Sequence, residues 1–549
     1  MSLLLSLLLW TVPADAGALV AGGAVSSDHP LASRAGASIL AQGGNAVDAA
    51  VATALAAGVV QPSASGLGGG GFALVVDPQG APQIFDFREV APAGASRGMF
   101  AGGEDAPSSR IGGLAVAVPS EGIGLHTLHS AGGRLPWAQV VRPALTLARR
   151  GFPVGAHLAA SLVQAESAGP ALVLALFRGV SGLPAAGQRV SRPSLARALA
   201  AFQRQGEALF REGWVAQDMV QAVADSGGLL SAGDLRDYSV RQRPPLQGRY
   251  RGWEVTAMPP PSSGGAVLLQ VLGVLESWDL AAMERGSAEH WHLLAEAFKH
   301  AYADRARTMG DPDRVQVPLR ALLGQPRRAA IVAAILPDRT LPSEAYGMPV
   351  DPGQDEGTQH ISVLDAQGQA VALTTTVNTG FGSRVVAPRS GIVLNNQMDD
   401  FVARPGEPNA YGLLGSEANA VAPGARPLSS MSPTVLEHPD GRRIVIGASG
   451  GPTIISATLQ AIVDLVDFGF SPQQALEAPR MHHQWMPDTL FVEPSVPEEV
   501  REGLRARGHS VKEARAFSAV QVVVGGEGRG FAGAADPRKG GASVRPEEL

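Results

Sequence analysis

The chain has 549 residues, of which 45% are hydrophobic, so it is long and apolar enough to form one large core or two interlocked ones. The formal net charge of −6, with no long basic run, argues against nucleic acid as a partner. The absence of cysteine excludes disulfides, cysteine-ligated zinc and a cysteine nucleophile.

The first residues have the pattern of an export signal. Residues 3–10 form a short apolar run, and the small residues Ala14, Ala16 and Ala18 follow Pro13. This pattern predicts a signal peptide over residues 1–18, cleaved after Ala16 or Ala18, because the run is too short to span a bilayer. A buried N-terminal helix is the alternative. We expect a periplasmic or secreted protein without a membrane span.

Residues 32–60 predict two alanine-rich helices on either side of a turn at 43–45, with Asp48 in the first turn of the second helix. Gly66, Gly68 and Gly71 then precede a strand at 72–76. A dinucleotide site needs the reverse order, with a strand before the glycines and a helix after them. These glycines therefore predict a tight loop where backbone passes close to other backbone or to a substrate.

The next strand, at 84–87, ends at Arg88 and Glu89. These two residues form either an ordinary surface ion pair or, through the guanidinium of Arg88, a binding site for a substrate carboxylate. Residues 115–330 are mainly helical. Their periodicity predicts helices at 137–150, 193–205, 214–224, 266–275 and 288–307, with short strands at 235–240 and 253–257.

Histidines occur close together at two places, and neither has the spacing of a metal site. His290, His292 and His300 share a predicted helix, but none is four residues from another. His482 and His483 are adjacent, so their side chains point apart. We expect packing roles for both groups, and no metal.

The composition of the sequence changes at Gly357 and Thr358, from a loop pattern to a strand pattern. Residues 337–357 are rich in proline, glycine and acids, which predicts a mobile surface loop, whereas 360–365 and 370–377 read as strands joined by a turn at 365–368. Gly357 leaves its carbonyl uncrowded and can adopt a strained backbone conformation. Either an ordinary strand begins here, or Thr358 becomes a new chain end. A free α-amine, with a pKa near about 7.7–8.0, would then act as the base for the threonine hydroxyl.

Two later segments are suited to a site around such a nucleophile. Residues 404–412 are polar and rich in proline and glycine, with Tyr411 as their one aromatic residue, which suits a lid. Gly450 and Gly451 lie between a strand at 443–447 and a helix at 454–467. They form either a plain turn or an oxyanion hole at the positive end of the helix dipole. Two strands, at 519–524 and 530–535, close the chain.

Together these motifs resemble the γ-glutamyltransferase family over nearly the whole mature chain. NNQMDDF at 395–401 and RPLSSMSPT at 426–434, in that order after the threonine, are the most specific. The others are GNAVDAAVA at 44–52, GLGGGGF at 66–72, FREVAP at 87–92, GDPD at 310–313, SGG at 449–451, HHQW at 482–485 and ADPR at 535–538. Gln359 and Ile361 depart from the family, which often has a second threonine and a tyrosine there.

The resemblance implies an α+β fold, the four-layer αββα sandwich of the N-terminal nucleophile hydrolases, built from two subunits of one precursor. Cleavage between Gly357 and Thr358 would give a large subunit, residues 19–357, and a small subunit, residues 358–549. The implied nucleophile is Thr358, with Thr376 hydrogen-bonded to it. The backbone N–H groups of Gly450 and Gly451 would form the oxyanion hole.

The resemblance also implies a substrate site and an activity. Arg88, Ser429 and Ser430 would bind the α-carboxylate of a γ-glutamyl group, Asn378, Gln397 and Asp400 its α-amine, and Tyr411 would gate the pocket. The implied enzyme passes the γ-glutamyl group of glutathione or related amides to water, an amino acid or a peptide, without a cofactor. Two alternatives are a glutaryl or cephalosporin acylase, against which the anion of Asp400 argues, and a non-catalytic exported binding protein.

Overall fold

The computed structural model describes residues 22–100, 107–165, 170–177, 180, 182–346, 357–402, 416–514, 517–526 and 530–549. The predicted signal peptide and the predicted lid residue Tyr411 lie outside these described residues. Across the described ranges, every helix is too short or too polar to cross a membrane.

Two antiparallel sheets form the centre of the described structure. The larger one contains β1 (Gly23–Ser27), β2 (Gly70–Val76), β3 (Gln83–Phe87), β6 (Arg241–Arg243), β9 (Gly357–Asp365), β10 (Ala370–Asn378) and β20 (Ala542–Val544). Its strand order is β20–β1–β9–β10–β2–β3–β6. The hairpin that begins at Gly357 is therefore central, with strands from distant parts of the chain on both sides.

The second sheet contains β7 (Leu246–Tyr250), β8 (Trp253–Ala257), β13 (Thr434–Glu437), β14 (Arg442–Ser449), β18 (Ala519–Gly526) and β19 (Gly530–Ala535), in the order β19–β18–β14–β13–β8–β7. Shorter strands pair outside the two sheets. They are β4 (Phe152–Pro153) with β5 (Arg189–Val190), β11 (Val386–Ala387) with β12 (Ile392–Val393), and β15 (Met481–His482) with β16 (Leu490–Val492) and β17 (Val511–Glu513).

Helices cover the outer faces of both sheets. In chain order they are α1 (Pro30–Ala41), α2 (Ala46–Val60), α3 (Glu121–Gly132), α4 (Trp137–Arg150), α5 (Ala156–Gln164), α6 (Pro170–Leu176), α7 (Pro193–Gln205), α8 (Ala208–Arg211), α9 (Trp214–Asp225), α10 (Ala232–Asp237), α11 (Gly264–Leu275), α12 (Ala288–Thr308), α13 (Leu319–Leu322), α14 (Gln325–Ala334), α15 (Thr453–Val466), α16 (Pro472–Glu477) and α17 (Glu498–Ala506).

The strands of the larger sheet alternate between two cores, as the two-residue period of a strand requires. On β2, Ala73 and Val75 belong to a core that includes α1, α2, α4 and α7. Phe72, Leu74 and Val76 belong to the other core, shared with the second sheet and with α11, α12 and α15. Helices, sheet, sheet and helices thus form the four layers of the predicted αββα sandwich.

Most of the predicted elements are confirmed within a few residues, and the Asn45 and Asp48 pair explains one boundary. The side chain of Asn45 accepts a hydrogen bond from the Asp48 backbone at 3.0 Å, and the Asp48 carboxylate accepts one from the Asn45 backbone at 3.1 Å. This capping box starts α2. α2 is buried along its whole length because it lies between the larger sheet and other helices.

One prediction about local structure is wrong. The strand predicted at 235–240 is replaced by the helix α10, because Ser231 and Asp234 form a capping box that starts a helix there. The surface loop predicted at 337–357 is described over 337–346 and at Gly357, and most of 337–346 is exposed, with two anchored positions. Tyr346 is buried, its hydroxyl is hydrogen-bonded to the carboxylate of Glu296, and Ser343 accepts a hydrogen bond from the indole of Trp485 at 3.0 Å.

Candidate active site

Thr358 and Thr376 lie opposite each other at the end of the central hairpin, in register on β9 and β10. Their hydroxyl oxygens are 3.2 Å apart. The Thr376 hydroxyl donates to the Gly357 carbonyl at 2.6 Å and accepts from the backbone N–H of Asn378 at 2.8 Å. A threonine has one hydroxyl proton to donate, so Thr358 is the donor in the contact between the two threonines.

This arrangement polarises the carbonyl that precedes Thr358. The Thr358 hydroxyl lies 3.2 Å from the Thr376 hydroxyl, which donates to the Gly357 carbonyl. A hydrogen bond to the carbonyl oxygen favours attack because it stabilises the negative charge that develops there. The hydroxyl and the polarised carbonyl are thus side by side at the predicted cleavage position.

Gly357 is required here by space rather than by backbone strain. It lies in an extended strand and is not among the glycines of the described residues with a left-handed φ. A Cβ atom at Gly357 would lie 2.0 Å from the carbonyl oxygen of Asn378, which no side chain can tolerate. Gly357 is therefore not strained, and glycine is needed there because another backbone segment passes close to it.

The same reason explains the glycine loop before β2. A Cβ atom at Gly69 would lie 1.9 Å from the carbonyl oxygen of Thr376, and one at Gly68 would lie 2.0 Å from that of Val393. The predicted close approach of backbone to backbone is confirmed, and it brings the loop directly behind Thr376.

The predicted oxyanion loop follows β14 and precedes α15. Gly450 has φ 128° and Gly451 has φ 58°, a conformation that favours glycine. The Gly450 carbonyl accepts hydrogen bonds from the side chains of Thr453 and Ser518 at 2.8 and 3.0 Å, which orients the loop. Gly451 borders the same cleft as Thr358, so its backbone lies near the nucleophile.

Arg88 and Asp400 form a buried ion pair on the far side of the cleft. The Arg88 guanidinium contacts the Asp400 carboxylate directly, lies 3.5 Å from Glu89 and donates to the Pro427 carbonyl at 3.2 Å. Burial raises the pKa of Asp400 to about 6, although Arg88 opposes that rise. Burial likewise raises the pKa of Glu89 to about 8. Arg88 is therefore paired mainly with Asp400.

The other predicted binding residues contribute neutral polar groups to the cleft. Within the described part of the chain, the hydroxyl of Ser430 is buried without a hydrogen-bond partner. The side-chain amide of Gln397 is buried and interacts with the carboxyl of Glu89. The Asn378 amide donates to the Asn396 carbonyl at 3.1 Å, and the Ser429 hydroxyl accepts from the Met431 backbone at 3.1 Å. A buried polar group without a partner costs free energy, so Ser430 is suited to binding a polar ligand.

These side chains border one cleft with about 350 Å³ of empty space. Of the predicted residues it brings together Arg88, Thr358, Thr376, Asn378, Gln397, Asp400, Ser429, Ser430 and Gly451. Gly450 does not border it and lies one residue behind, and Tyr411 is outside the described residues. The prediction missed Arg305, Leu428, Met431 and Ile454, which also border the cleft. Leu428 and Met431 lie within the motif at 426–434, which was a signal for the segment but not for these two side chains, whereas Arg305 and Ile454 lie in helices whose pattern carries no signal of a site.

One group away from the cleft has the composition of a metal site. His292, Glu296 and His509 bring their possible ligand atoms within 4.8 Å of one another. The His292 ring is already bonded to His509 at 2.7 Å and to the Leu336 carbonyl at 2.7 Å, and the Lys299 ammonium lies 3.8 Å from Glu296. The hydrogen bonds and the nearby cation account for these side chains, so we assign no metal to them.

Comparison with known proteins agrees with this geometry. A family model described as gamma-glutamyltranspeptidase matches residues 32–545. The chain belongs to the γ-glutamyltranspeptidase family. A glutathione hydrolase proenzyme from Escherichia coli strain K12 is 41% identical over 526 residues, which are 94% of this chain and 90% of that protein.

Solved structures of relatives have the same fold. Cephalosporin acylase from Bacillus halodurans superposes with a TM-score of 0.83 at 26% identity and covers 96% of both chains. Helicobacter pylori γ-glutamyltranspeptidase superposes with a TM-score of 0.55 at 36% identity, over 58% of this chain and 92% of that one. The predicted family and its αββα fold are therefore confirmed.

Proposed function

We propose that this chain is an autoprocessing γ-glutamyltransferase and glutathione hydrolase. The observation that carries the proposal is the contact between Thr358, Thr376 and the Gly357 carbonyl, in a cleft that also holds a cation and an anion. The Escherichia coli relative that is 41% identical to this chain is named a glutathione hydrolase proenzyme, and this name supports both the activity and the processing.

Processing uses the bond before Thr358. The Thr358 hydroxyl attacks the Gly357 carbonyl carbon, the C–N bond breaks, and the chain is joined at that point by an ester. Water then hydrolyses the ester, which leaves a carboxylate on Gly357 and a free α-amine on Thr358. The large subunit then spans residues 19–357 and the small subunit residues 358–549.

Turnover uses the new chain end. The α-amine of Thr358 takes the proton of its own hydroxyl, the hydroxyl oxygen attacks the γ-carbonyl of the substrate, and the amine of the leaving group receives the proton. The backbone N–H groups of Gly450 and Gly451 stabilise the oxyanion. Water, an amino acid or a peptide then takes the γ-glutamyl group from the threonine ester.

The charges in the cleft set the substrate class. A γ-glutamyl head has one α-carboxylate and one α-amine. Arg88, Ser429 and Ser430 bind the carboxylate, while Asn378, Gln397 and Asp400 bind the amine. Tyr411 covers the bound group as part of a lid. No cofactor takes part in this chemistry.

The rival activity is that of a glutaryl acylase, because the structural relative with a TM-score of 0.83 is a cephalosporin acylase. A glutaryl group has no α-amine, so Asp400 would face it without a partner of opposite charge. Residues 3–10 and the small residues after them support export, and we propose a periplasmic or secreted location.

The test is the pair of variants Thr358→Ala and Thr358→Ser. The alanine variant is expected to remain one full-length band on a denaturing gel and to leave γ-glutamyl-p-nitroanilide unchanged, whereas the serine variant cuts itself and retains activity. End-group sequencing of the small fragment is expected to start at Thr358. Self-cleavage or turnover by the alanine variant would rule the proposal out.

A further inference from the structure

Lys539 connects the nucleophile to the oxyanion loop. Its ammonium group donates to the Thr358 carbonyl at 2.8 Å and to the Ser449 hydroxyl at 2.8 Å. It also lies 3.6 Å from the carboxylate of Asp28. Ser449 directly precedes Gly450, so one side chain holds both the nucleophilic residue and the strand that leads into the oxyanion loop.

The register of the larger sheet explains why a lysine is needed there. On one side of β9, Thr358 pairs with Thr376 of β10. On the other side, β1 ends at Ser27, opposite Ile361. The Thr358 carbonyl therefore lies beyond the last backbone partner on that side, and a buried carbonyl needs a hydrogen-bond donor. The Lys539 ammonium is that donor.

We propose that Lys539 is a positioning residue, which fixes Thr358 against the oxyanion loop and whose charge keeps the new α-amine in its basic form at neutral pH. This inference rests on the proposed function, because the α-amine exists only after the chain has cut itself at Thr358. Of the three lysines in the sequence, Lys299, Lys512 and Lys539, it is Lys539 whose ammonium contacts Thr358.

The charge argument follows from distance. The nitrogen and the carbonyl oxygen of one residue are close by covalent geometry, so the Lys539 ammonium lies within about 6 Å of the future α-amine. A cation at that distance disfavours a second positive charge and lowers the pKa of the amine. A lower pKa leaves more of the amine unprotonated near pH 7, where it must accept the hydroxyl proton.

Other charged groups near the nucleophile also affect the pKa of the future α-amine. Arg88, Arg305 and Asp400 border the cleft, while Asp28 faces the ammonium of Lys539. Burial raises the pKa of the Asp28 carboxyl, although Lys539 opposes that rise, so Asp28 offsets the charge of Lys539 only above this raised pKa. Asp536 contributes to the field at Asp28, and its own carboxylate is paired with Arg480 and Arg538. His157 lies in the field of Lys539, but burial lowers the pKa of its imidazole to about 3, so it stays neutral in the tested range.

The experiment compares the pH dependence of kcat in the full-length protein, with γ-glutamyl-p-nitroanilide at saturating concentration so that binding groups do not contribute. Lys539→Met is expected to move the acidic limb of the profile up by about one pH unit, with roughly tenfold lower kcat at pH 6.5 and little change at pH 9. Lys539→Arg, which keeps the charge, is expected to keep the wild-type limb. Lys512→Met removes the same charge from an exposed strand and is the matched control.

The variant Asp28→Asn gives a second, independent test, because it should shift the acidic limb of the kcat profile in the opposite direction. It removes the opposing charge but keeps an acceptor for Gln521, which donates to Asp28 at 2.6 Å. Above the raised pKa of Asp28 this substitution removes an anion, so the acidic limb is expected to move down in pH there, opposite to the shift in Lys539→Met. If the Lys539→Met protein does not cut itself, the pH profiles of Asp28→Asn and Lys539→Arg still test the charge role of Lys539.

The outcomes separate this inference from the proposed function. If the wild type neither cuts itself nor turns over the anilide, the proposed function and the role of Lys539 are both rejected. If the wild type does both, and the Lys539→Met and Asp28→Asn profiles coincide with its own, only the charge role of Lys539 is overturned. Opposite shifts in the two variants are not expected from a loss of packing.

Discussion

Arg88 and Asp400 contact each other directly in the cleft, although they are the two residues proposed to bind opposite ends of a substrate head. A γ-glutamyl head brings one negative and one positive group, so it replaces one buried ion pair with two. An acid without an α-amine would break the pair and leave Asp400 uncompensated, which is costly in a buried site. We therefore expect the pair to favour a zwitterionic substrate group over a simple acid.

Asp400→Asn should separate the two substrate classes. Loss of a charge-assisted hydrogen bond to the α-amine is expected to lower kcat/KM for γ-glutamyl-p-nitroanilide by about 10- to 150-fold, mostly through KM. Glutaryl-p-nitroanilide lacks the α-amine and serves as the matched control substrate, and its kcat/KM should change little or rise. An equal loss for both anilides would show that Asp400 does not face the α-amine.

The KM for γ-glutamyl substrates should depend on pH through Asp400. The pKa of this carboxyl is raised by burial to about 6, so it loses its charge as the pH falls through 6. We expect KM to rise several-fold between pH 7 and pH 5, as the anion that pairs with the α-amine disappears. Initial rates at a series of substrate concentrations measure this. In Asp400→Asn the KM should be higher but flat over the same range.

Glu89 should make the protein less stable at alkaline pH. Burial raises the pKa of its carboxyl from 4.5 to about 8, so the folded state favours the neutral form. The stability that this contributes is present below pH 4.5 and is lost as the pH rises through 8. Glu89→Gln keeps the neutral form at every pH. We expect its Tm to exceed that of the wild type by about 4 °C at pH 9 and to differ little from it at pH 5, by calorimetry.

Thr376 should matter through its hydroxyl rather than its shape. The hydroxyl donates to the Gly357 carbonyl at 2.6 Å, so Thr376→Val removes the hydrogen bond but keeps a similar volume. Self-cleavage is expected to slow by about 10²-fold or more, the effect of removing one oxyanion donor. Thr376→Ser retains the hydroxyl and should cut at close to the wild-type rate. The fraction of full-length chain with time on a denaturing gel measures both variants.

Gly357→Ala should affect processing but not turnover. Its Cβ atom would lie 2.0 Å from the Asn378 carbonyl, which displaces the end of β9 in the uncut chain. Residue 357 leaves the small subunit after the cut, so molecules that do mature should have normal kcat. Gly380→Ala is the matched control because nothing lies within 4 Å of a Cβ atom there. A fall in kcat per cut molecule would contradict this assignment.

Sequence motifs predicted the fold and most of the cleft because they identify the positions in the sequence of the residues that line it. They could not predict which of those residues contact each other, and so Arg88 and Asp400 were predicted as two binding groups rather than as an ion pair. Lys539 follows the ADPR motif directly, but its role depends on β1 ending at Ser27, which is a property of sheet register. The helix α10 could have been predicted from Ser231 and Asp234, whose three-residue spacing is a capping signal.

The strand order of the larger sheet has a lasting consequence for the mature enzyme. With the proposed cut after Gly357, β20 would belong to the small subunit, β1 to the large, β9 and β10 to the small, and β2, β3 and β6 to the large. The two polypeptides would then remain interleaved, but without the covalent connection that guided their assembly. A molecule that unfolds after maturation therefore cannot retrace its first folding route. Its working lifetime is set by how slowly it opens rather than by an equilibrium between folded and unfolded chains.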